Sequence, residues 1–113
     1  LAVIHVQSAD KLGNGVTQGP KYEDPLMARA ATPVLLPAEE IVPSSELPVP
    51  IDHVDVPAVL TSAVVHAPRG AFPTSCAGRY AHDAAAIRTL ISLGDPADLP
   101  EYAEWLLQGE VMA

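Results

Sequence analysis

Leu1-Ala2-Val3-Ile4-His5-Val6, then Asp24-Pro25-Leu26-Met27-Ala28-Arg29-Ala30-Ala31, then Val34-Leu35-Leu36 are the three stretches whose order decides the fold. The first is short, β-branched and nearly all apolar, with His5 its only polar residue. A strand of that kind is usually buried on both faces, as in a parallel sheet. In the second, Asp24 reads as an N-cap and Pro25 as the first helical residue. A helix over Pro25–Ala31 would place Leu26, Met27 and Ala30 on its apolar side, and Pro33 would end it. The third stretch is a second buried strand. Strand, helix, strand is a βαβ unit, and its crossover should be right-handed.

Outward from this unit, Ala9-Asp10-Lys11-Leu12-Gly13-Asn14-Gly15 is rich in residues that tolerate positive φ and predicts a turn. Val16–Gln18 predicts a short extended piece. Ala38–Val42, with Glu39 and Glu40, predicts a short helical turn whose carboxylates sit in water. Pro43–Pro57 predicts a surface loop over a neighbouring element, and Val59–Ala67 a third strand. Arg69–Cys76 predicts a loop. Asp83–Leu93 has Ala86, Ile87, Leu90 and Ile91 at helical spacing, starts at His82-Asp83 and stops at Gly94. Leu99–Leu107 predicts a last helix anchored by Trp105. The fold class is therefore α/β: part of an open, mostly parallel sheet with flanking helices. Three such strands cannot be covered by 113 residues alone, so an apolar edge and face should be left for other chain or a partner. A strand at the first residue also predicts further chain before it.

Composition narrows the function. The formal charge is −8 with only six Lys and Arg, which argues against a nucleic-acid partner. No apolar stretch approaches the roughly 20 residues of a membrane helix, and no basic region precedes the first apolar run. A single cysteine, Cys76, fits a reducing, cytoplasmic setting. Twelve prolines, crowded between Pro20 and Pro73, imply long irregular connections.

Local motifs name no reaction. His5, His53, His66 and His82 are too dispersed for a metal signature, so no metal is expected, and His5 reads as a satisfied core residue. Gly13-Asn14-Gly15 lacks the spacing of a phosphate loop. Thr74-Ser75-Cys76 has three nucleophile-type side chains but no general base at a recognisable spacing; Cys76 reads as a buried, inert thiol.

Several segments taken in order do resemble one family. Ala2-Val3-Ile4-His5-Val6-Gln7 followed by Ala9-Asp10-Lys11-Leu12-Gly13-Asn14 is similar to the strand and turn of class I coenzyme A transferase α (A) subunits. The helix, the strand Val34–Leu36 and Glu39-Glu40-Ile41-Val42 match that family's next block. Ala63-Val64-Val65-His66-Ala67-Pro68-Arg69-Gly70-Ala71-Phe72-Pro73-Thr74-Ser75-Cys76 resembles the stretch typical of the glutaconate branch, with Tyr80 and Trp105 beyond it. Three positions depart: Ser62 stands for an Asp, His66 for a Glu and Phe72 for a His.

The resemblance implies that residues 1–113 are the carboxy-terminal part of an α-subunit domain of the coenzyme A transferase fold. It implies no cofactor, with coenzyme A thioesters and carboxylic acids as substrates. A β (B) subunit would supply a Glu that attacks the thioester, and covalent ping-pong exchange would follow. No catalytic residue is expected here. The chain would contribute the acyl-pocket wall and the subunit interface through Asn14, Gln18, Gly70, Phe72, Thr74 and Ser75. The departure at Phe72 also admits a coenzyme A-ester or ring-opening hydrolase subunit. Acidity, proline content and short length admit a non-catalytic interaction module.

Overall fold

In the computed structural model, residues 1–93, 95, 97, 99–101, 103 and 104 are described. Five strands form one sheet around β4 (Val34–Ile41). β1 (Ala2–Val3) and β2 (Val6–Ala9) both run parallel to β4 in one continuous register, Ala2 opposite Val34 and Val6 opposite Ala38. They are one strand interrupted at Ile4-His5, and it continues three residues beyond the expected end at Val6. β3 (Gly15–Val16) turns back antiparallel on β2. β5 (Ala63–His66) lies parallel on the other side of β4, with Leu35 opposite Ala63. An open, mostly parallel α/β sheet is therefore present, as the strand patterns predict.

The core lies under the even-numbered residues. Ala2, Ile4 and Val6 pack with Val34, Leu36 and Ala38, and Ala28 and Val56 close the layer. Ile4, Val6, Val34, Leu36 and Val56 are each at most 2% exposed. Burial of each contributes about 1.5–3 kcal/mol before chain entropy is charged against it. The crossover helix α1 (Asp24–Ala30) meets this layer through Ala28, which is fully buried.

Several expectations are corrected here. Leu26 and Met27 do not face the core: they are 70% and 43% exposed. Ala28 takes the inward position instead, and Ala30, expected on the same side, is exposed too. Asp24 lies inside the helix, after Glu23, and no side chain caps the start. The segment Ala38–Ile41 is strand, not a helical turn, because β2 pairs with it as far as Ile41 and β5 lies on its other side up to Ala38, and pairing outweighs the local preference of Ala-Glu-Glu. Val59 and Leu60 fall in a single 3-10 turn (Ala58–Leu60), so the third strand starts only at Ala63. Pro43–Pro57 is a connection with two more such turns, Ser44–Glu46 and Ile51–His53. It ends by burying Val56 and bridging to Gly15.

The second helix, α2 (Ala84–Ser92), starts as expected, with the Asp83 carboxylate accepting from the Ala86 N–H at 2.9 Å. Residues 99–101, 103 and 104 are helical, whereas Gly94, Trp105 and Leu107, on which the stop and last-helix expectations rest, lie outside the described residues.

A turn ties the sheet end together. Gly13 has φ +101°, and a Cβ there would stand 2.8 Å from the Thr61 Cβ. The Gly13 carbonyl also accepts from Thr61 Oγ1 at 2.7 Å. Gly13→Ala is therefore expected to cost about 1–3 kcal/mol, read as a lower urea midpoint of the purified protein. An unchanged midpoint would show that this turn is free to relax.

Candidate functional site

Alternation along the strands puts His5, Gln7 and Glu39 on the sheet face opposite the core. The loop 67–80 folds over the carboxy-terminal half of that face. The other half stays bare, with Val3 58% and Val65 49% exposed. This is the uncovered apolar surface that three strands in so short a chain predict.

Glu39 fastens the loop. Its side chain is only 7% exposed. Oε1 accepts from the Tyr80 hydroxyl at 2.5 Å, and Oε2 accepts from the Arg69 backbone N–H at 2.7 Å. Tyr80 in turn accepts from the Ala71 N–H at 3.0 Å. Burial, and then the hydrogen bond to Glu39, push the Tyr80 hydroxyl well above its ordinary pKa, so it stays a donor. His5 Nε2 lies 3.1 Å from Glu39 Oε1 but off the direction of a hydrogen bond, and it is buried without a partner. His5 is thus not the satisfied core histidine expected of it. Gly70 allows this approach: a Cβ there would sit 2.9 Å from the imidazole.

Next to this cluster, Glu40 accepts from Ser8 Oγ at 2.9 Å and pairs with Arg79 at 2.5 Å. Arg79, and then Ser8, lower the Glu40 pKa. Neither glutamate belongs to a solvated helical turn. Cys76 is buried as expected, and burial followed by the nearby Glu39 charge raises its thiol pKa.

A cleft of about 230 Å³ opens beside His5. It is lined by His5, Gln7, Thr17, Gln18, Ser75 and Cys76, with Tyr22 and Asp24 at the α1 side. Gln7 builds its floor. Its amide donates to the Gln18 and Ala77 carbonyls at 3.2 and 3.0 Å and accepts from the Gln18 N–H at 3.0 Å.

Of the six residues expected to contact substrate, Gln18 and Ser75 line this cleft. Gly70 and Phe72 lie in the covering loop, and Thr74 bonds back to the Ala71 carbonyl. Asn14 is elsewhere, 7% exposed, its amide spent on Asp10 and the Ala58 N–H. Sequence reasoning missed Gln7, His5, Glu39 and Tyr80 as a unit. Their shared face is visible only once β4 is known to reach Ile41.

His5, Glu39 and Cys76 also bring ligand-type atoms within 4.8 Å of one another. Both Glu39 oxygens already accept hydrogen bonds, and the Arg79 cation is paired with the neighbouring Glu40. Among the described residues, no helix is long and apolar enough to cross a membrane.

No protein-family model matches the chain. The A subunit of the glutaconate CoA-transferase of Acidaminococcus fermentans is 36% identical over 83 residues, 74% of this chain and 26% of that protein. The A subunit of the 3-oxoadipate CoA-transferase of Pseudomonas knackmussii is 35% identical over 83 residues, 74% of this chain and 29% of that protein. The solved glutaconate coenzyme A-transferase of A. fermentans superposes with a TM-score of 0.67 at 36% identity, over 72% of this chain and 26% of that one. A variant of the decarboxylase AibA/AibB superposes with a TM-score of 0.77 at 35% identity, over 94% of this chain and 38% of that one. The chain thus spans about a quarter of the curated relatives it matches. Over about three quarters of its length, this chain is homologous to the A subunits of these two coenzyme A transferases.

Proposed function

We propose that this chain is part of the A subunit of an acyl-CoA:carboxylate coenzyme A transferase. It forms a wall of the acyl pocket and part of the subunit interface, and a B subunit brings the Glu nucleophile. The observation that carries this reading is the likeness, at about 35% identity, to the A subunits of two such transferases. Three features of the chain agree with it. Gln18 and Ser75 face a cleft beside the sheet. The face bearing Val3 and Val65 needs a cover. The two carboxylates under the covering loop are consumed internally, Glu39 by Tyr80 and Arg69 and Glu40 by Arg79, so neither is free to attack a thioester.

The chemistry then divides cleanly. A partner's carboxylate displaces coenzyme A thiolate to give a mixed anhydride. The thiolate attacks the Glu carbonyl, releasing the first carboxylate and leaving an enzyme thioester; an incoming carboxylate displaces the thiolate to form a second anhydride, and the thiolate then takes its acyl group and frees the Glu. This chain's share is to position the acyl group and exclude water, using binding energy remote from the reacting carbon.

The test is made on the assembly that co-purifies with the chain. Coenzyme A exchange between two carboxylic acids should occur, and borohydride should trap a Glu–coenzyme A thioester on the partner. Release of free coenzyme A with no acceptor acid would replace this reading by the hydrolase one, which the Phe72 departure motivates. A lone chain that folds as a stable monomer and binds no acyl-CoA would leave only an interaction module.

A further inference from the structure

Three side chains from three separate elements meet under the covering loop. His5 sits between β1 and β2, Glu39 on β4, and Cys76 in the loop 67–80. Their Nε2, carboxylate and Sγ atoms all lie within 4.8 Å of one another. A tetrahedral zinc ion, with bonds of about 2.0–2.3 Å, holds its donors about 3.3–3.7 Å apart. His5 and Glu39 already stand 3.1 Å apart, so a shift of about 1 Å by the loop that carries Cys76 closes the set. Hydrogen bonding gives a second, separate observation. Among the described residues, two buried side-chain polar atoms have no partner, His5 Nε2 and Thr17 Oγ1. Both residues line the same cleft, as does Cys76. Buried polar groups are nearly always satisfied, and an exception calls for a water, an ion or a ligand.

We infer that His5, Glu39 and Cys76 form a binding site for a zinc-type divalent cation, with its fourth position open to the cleft. Imidazole, carboxylate and thiolate together suit zinc, whereas magnesium and calcium take oxygen donors. The charges balance as well. A carboxylate and a thiolate neutralise the dication, and a neutral imidazole completes the set. The Arg79 cation does not oppose it, because Glu40 neutralises that charge. Nor do the hydrogen bonds to Glu39. Each carboxylate oxygen has two lone pairs, so Oε1 can serve Tyr80 and the metal together, and such bonds orient a ligating carboxylate. Burial, and then the Glu39 charge, raise the Cys76 pKa; a bound dication reverses that balance, and the thiol proton leaves to solvent. Three protein ligands and an open position are the arrangement of zinc sites that bind an oxygen of their substrate. Histidine spacing along the chain carries no trace of this site, because its ligands come from three elements. The inference goes beyond the transferase reading and stands or falls without it.

The test treats the chain, with whatever partner co-purifies, with a chelator and then titrates it calorimetrically with zinc and magnesium chlorides. Zinc should bind at least about a hundredfold more tightly than magnesium. Cys76→Ser and His5→Gln should each weaken zinc at least about tenfold. His53→Gln, which removes the exposed His53–Asp52 pair, should leave zinc binding unchanged. Cobalt in place of zinc should show thiolate-to-metal charge-transfer absorption, a readout that needs no variant to fold. Acetohydroxamate should shift that spectrum by filling the open position. Wild type that ignores zinc, or zinc binding that survives both Cys76→Ser and His5→Gln, would overturn the proposal. So would cobalt bound without the thiolate absorption. Zinc binding lost with His53→Gln instead would make the metal an adventitious surface ion only and would equally overturn it. A cobalt spectrum indifferent to acetohydroxamate would overturn the open position.

Discussion

Asp10→Ala is expected to lower stability by about 3–4 kcal/mol, as a cooperative loss of urea resistance in the purified protein. Asp10 is 1% exposed. Its Oδ1 accepts from the backbone N–H groups of Leu12, Gly13 and Asn14 at 2.9–3.0 Å. Its Oδ2 accepts from the Asn14 amide at 2.9 Å and from Ser44 Oγ at 2.7 Å. Alanine would leave several buried donors without partners, and the turn that joins β2 to β3 would lose its centre. Burial alone would raise the pKa of this carboxyl. The hydrogen bonds from Asn14, Ser44 and the turn backbone outweigh that, so it lies below the ordinary value of 3.8. A depressed folded pKa adds stability that is present above 3.8 and disappears as pH falls through the lower, folded value. Asp10→Asn should therefore cost less than Asp10→Ala and should flatten the loss of stability at acid pH. An Asp10→Asn protein with the wild-type acid profile would show that other carboxyls govern it.

The same turn shows what the sequence could and could not reveal. Asp10, Gly13 and Asn14 are turn residues by type, and the segment is a turn. That Asn14 serves the turn and not the cleft follows from Asp10 lying within reach of its amide, which composition does not encode. The strand–helix–strand order was legible because Leu1–Val6 and Val34–Leu36 are nearly continuous apolar runs. Where β4 ends was not. Pro37 lacks a donor, and Ala38-Glu39-Glu40 favours helix locally, yet β2 supplies a parallel ladder to Ile41 and β5 one as far as Ala38. Once that strand is extended, Glu39 falls beside His5, 34 positions away in the chain. No periodicity links two residues so far apart. The apolar side of α1 was misread for a related reason. Leu26 and Met27 are apolar, but which side of the helix meets the sheet is a tertiary matter, and the side that does carries Ala28. Apolar side chains left outside at Leu26, Met27, Val3 and Val65 are then surface for contacts this chain does not itself provide.

Glu39→Ala should detach the loop 67–80 from the sheet and cost about 2–4 kcal/mol, with the cleft beside His5 lost in the same step. Three groups converge on this carboxylate: the Tyr80 hydroxyl, the Arg69 N–H and the His5 imidazole edge. Removing it leaves the part-buried Tyr80 hydroxyl without its acceptor. Tyr80→Phe should cost less, about 1–2 kcal/mol, because the ring still packs and Glu39 keeps the Arg69 donor. The two changes should not add. With Glu39 already gone, Tyr80→Phe has little left to remove, so a double-mutant cycle should return a coupling of about 1–2 kcal/mol. Protease cleavage within 67–80 should rise in step with each loss, since a loop held by so few bonds opens before the sheet does. Strict additivity, with no gain in cleavage, would mean that the loop is held by Gln7 through Ala77 and by Arg79 through Glu40 instead. The carboxylate would then be only a neighbour of the imidazole.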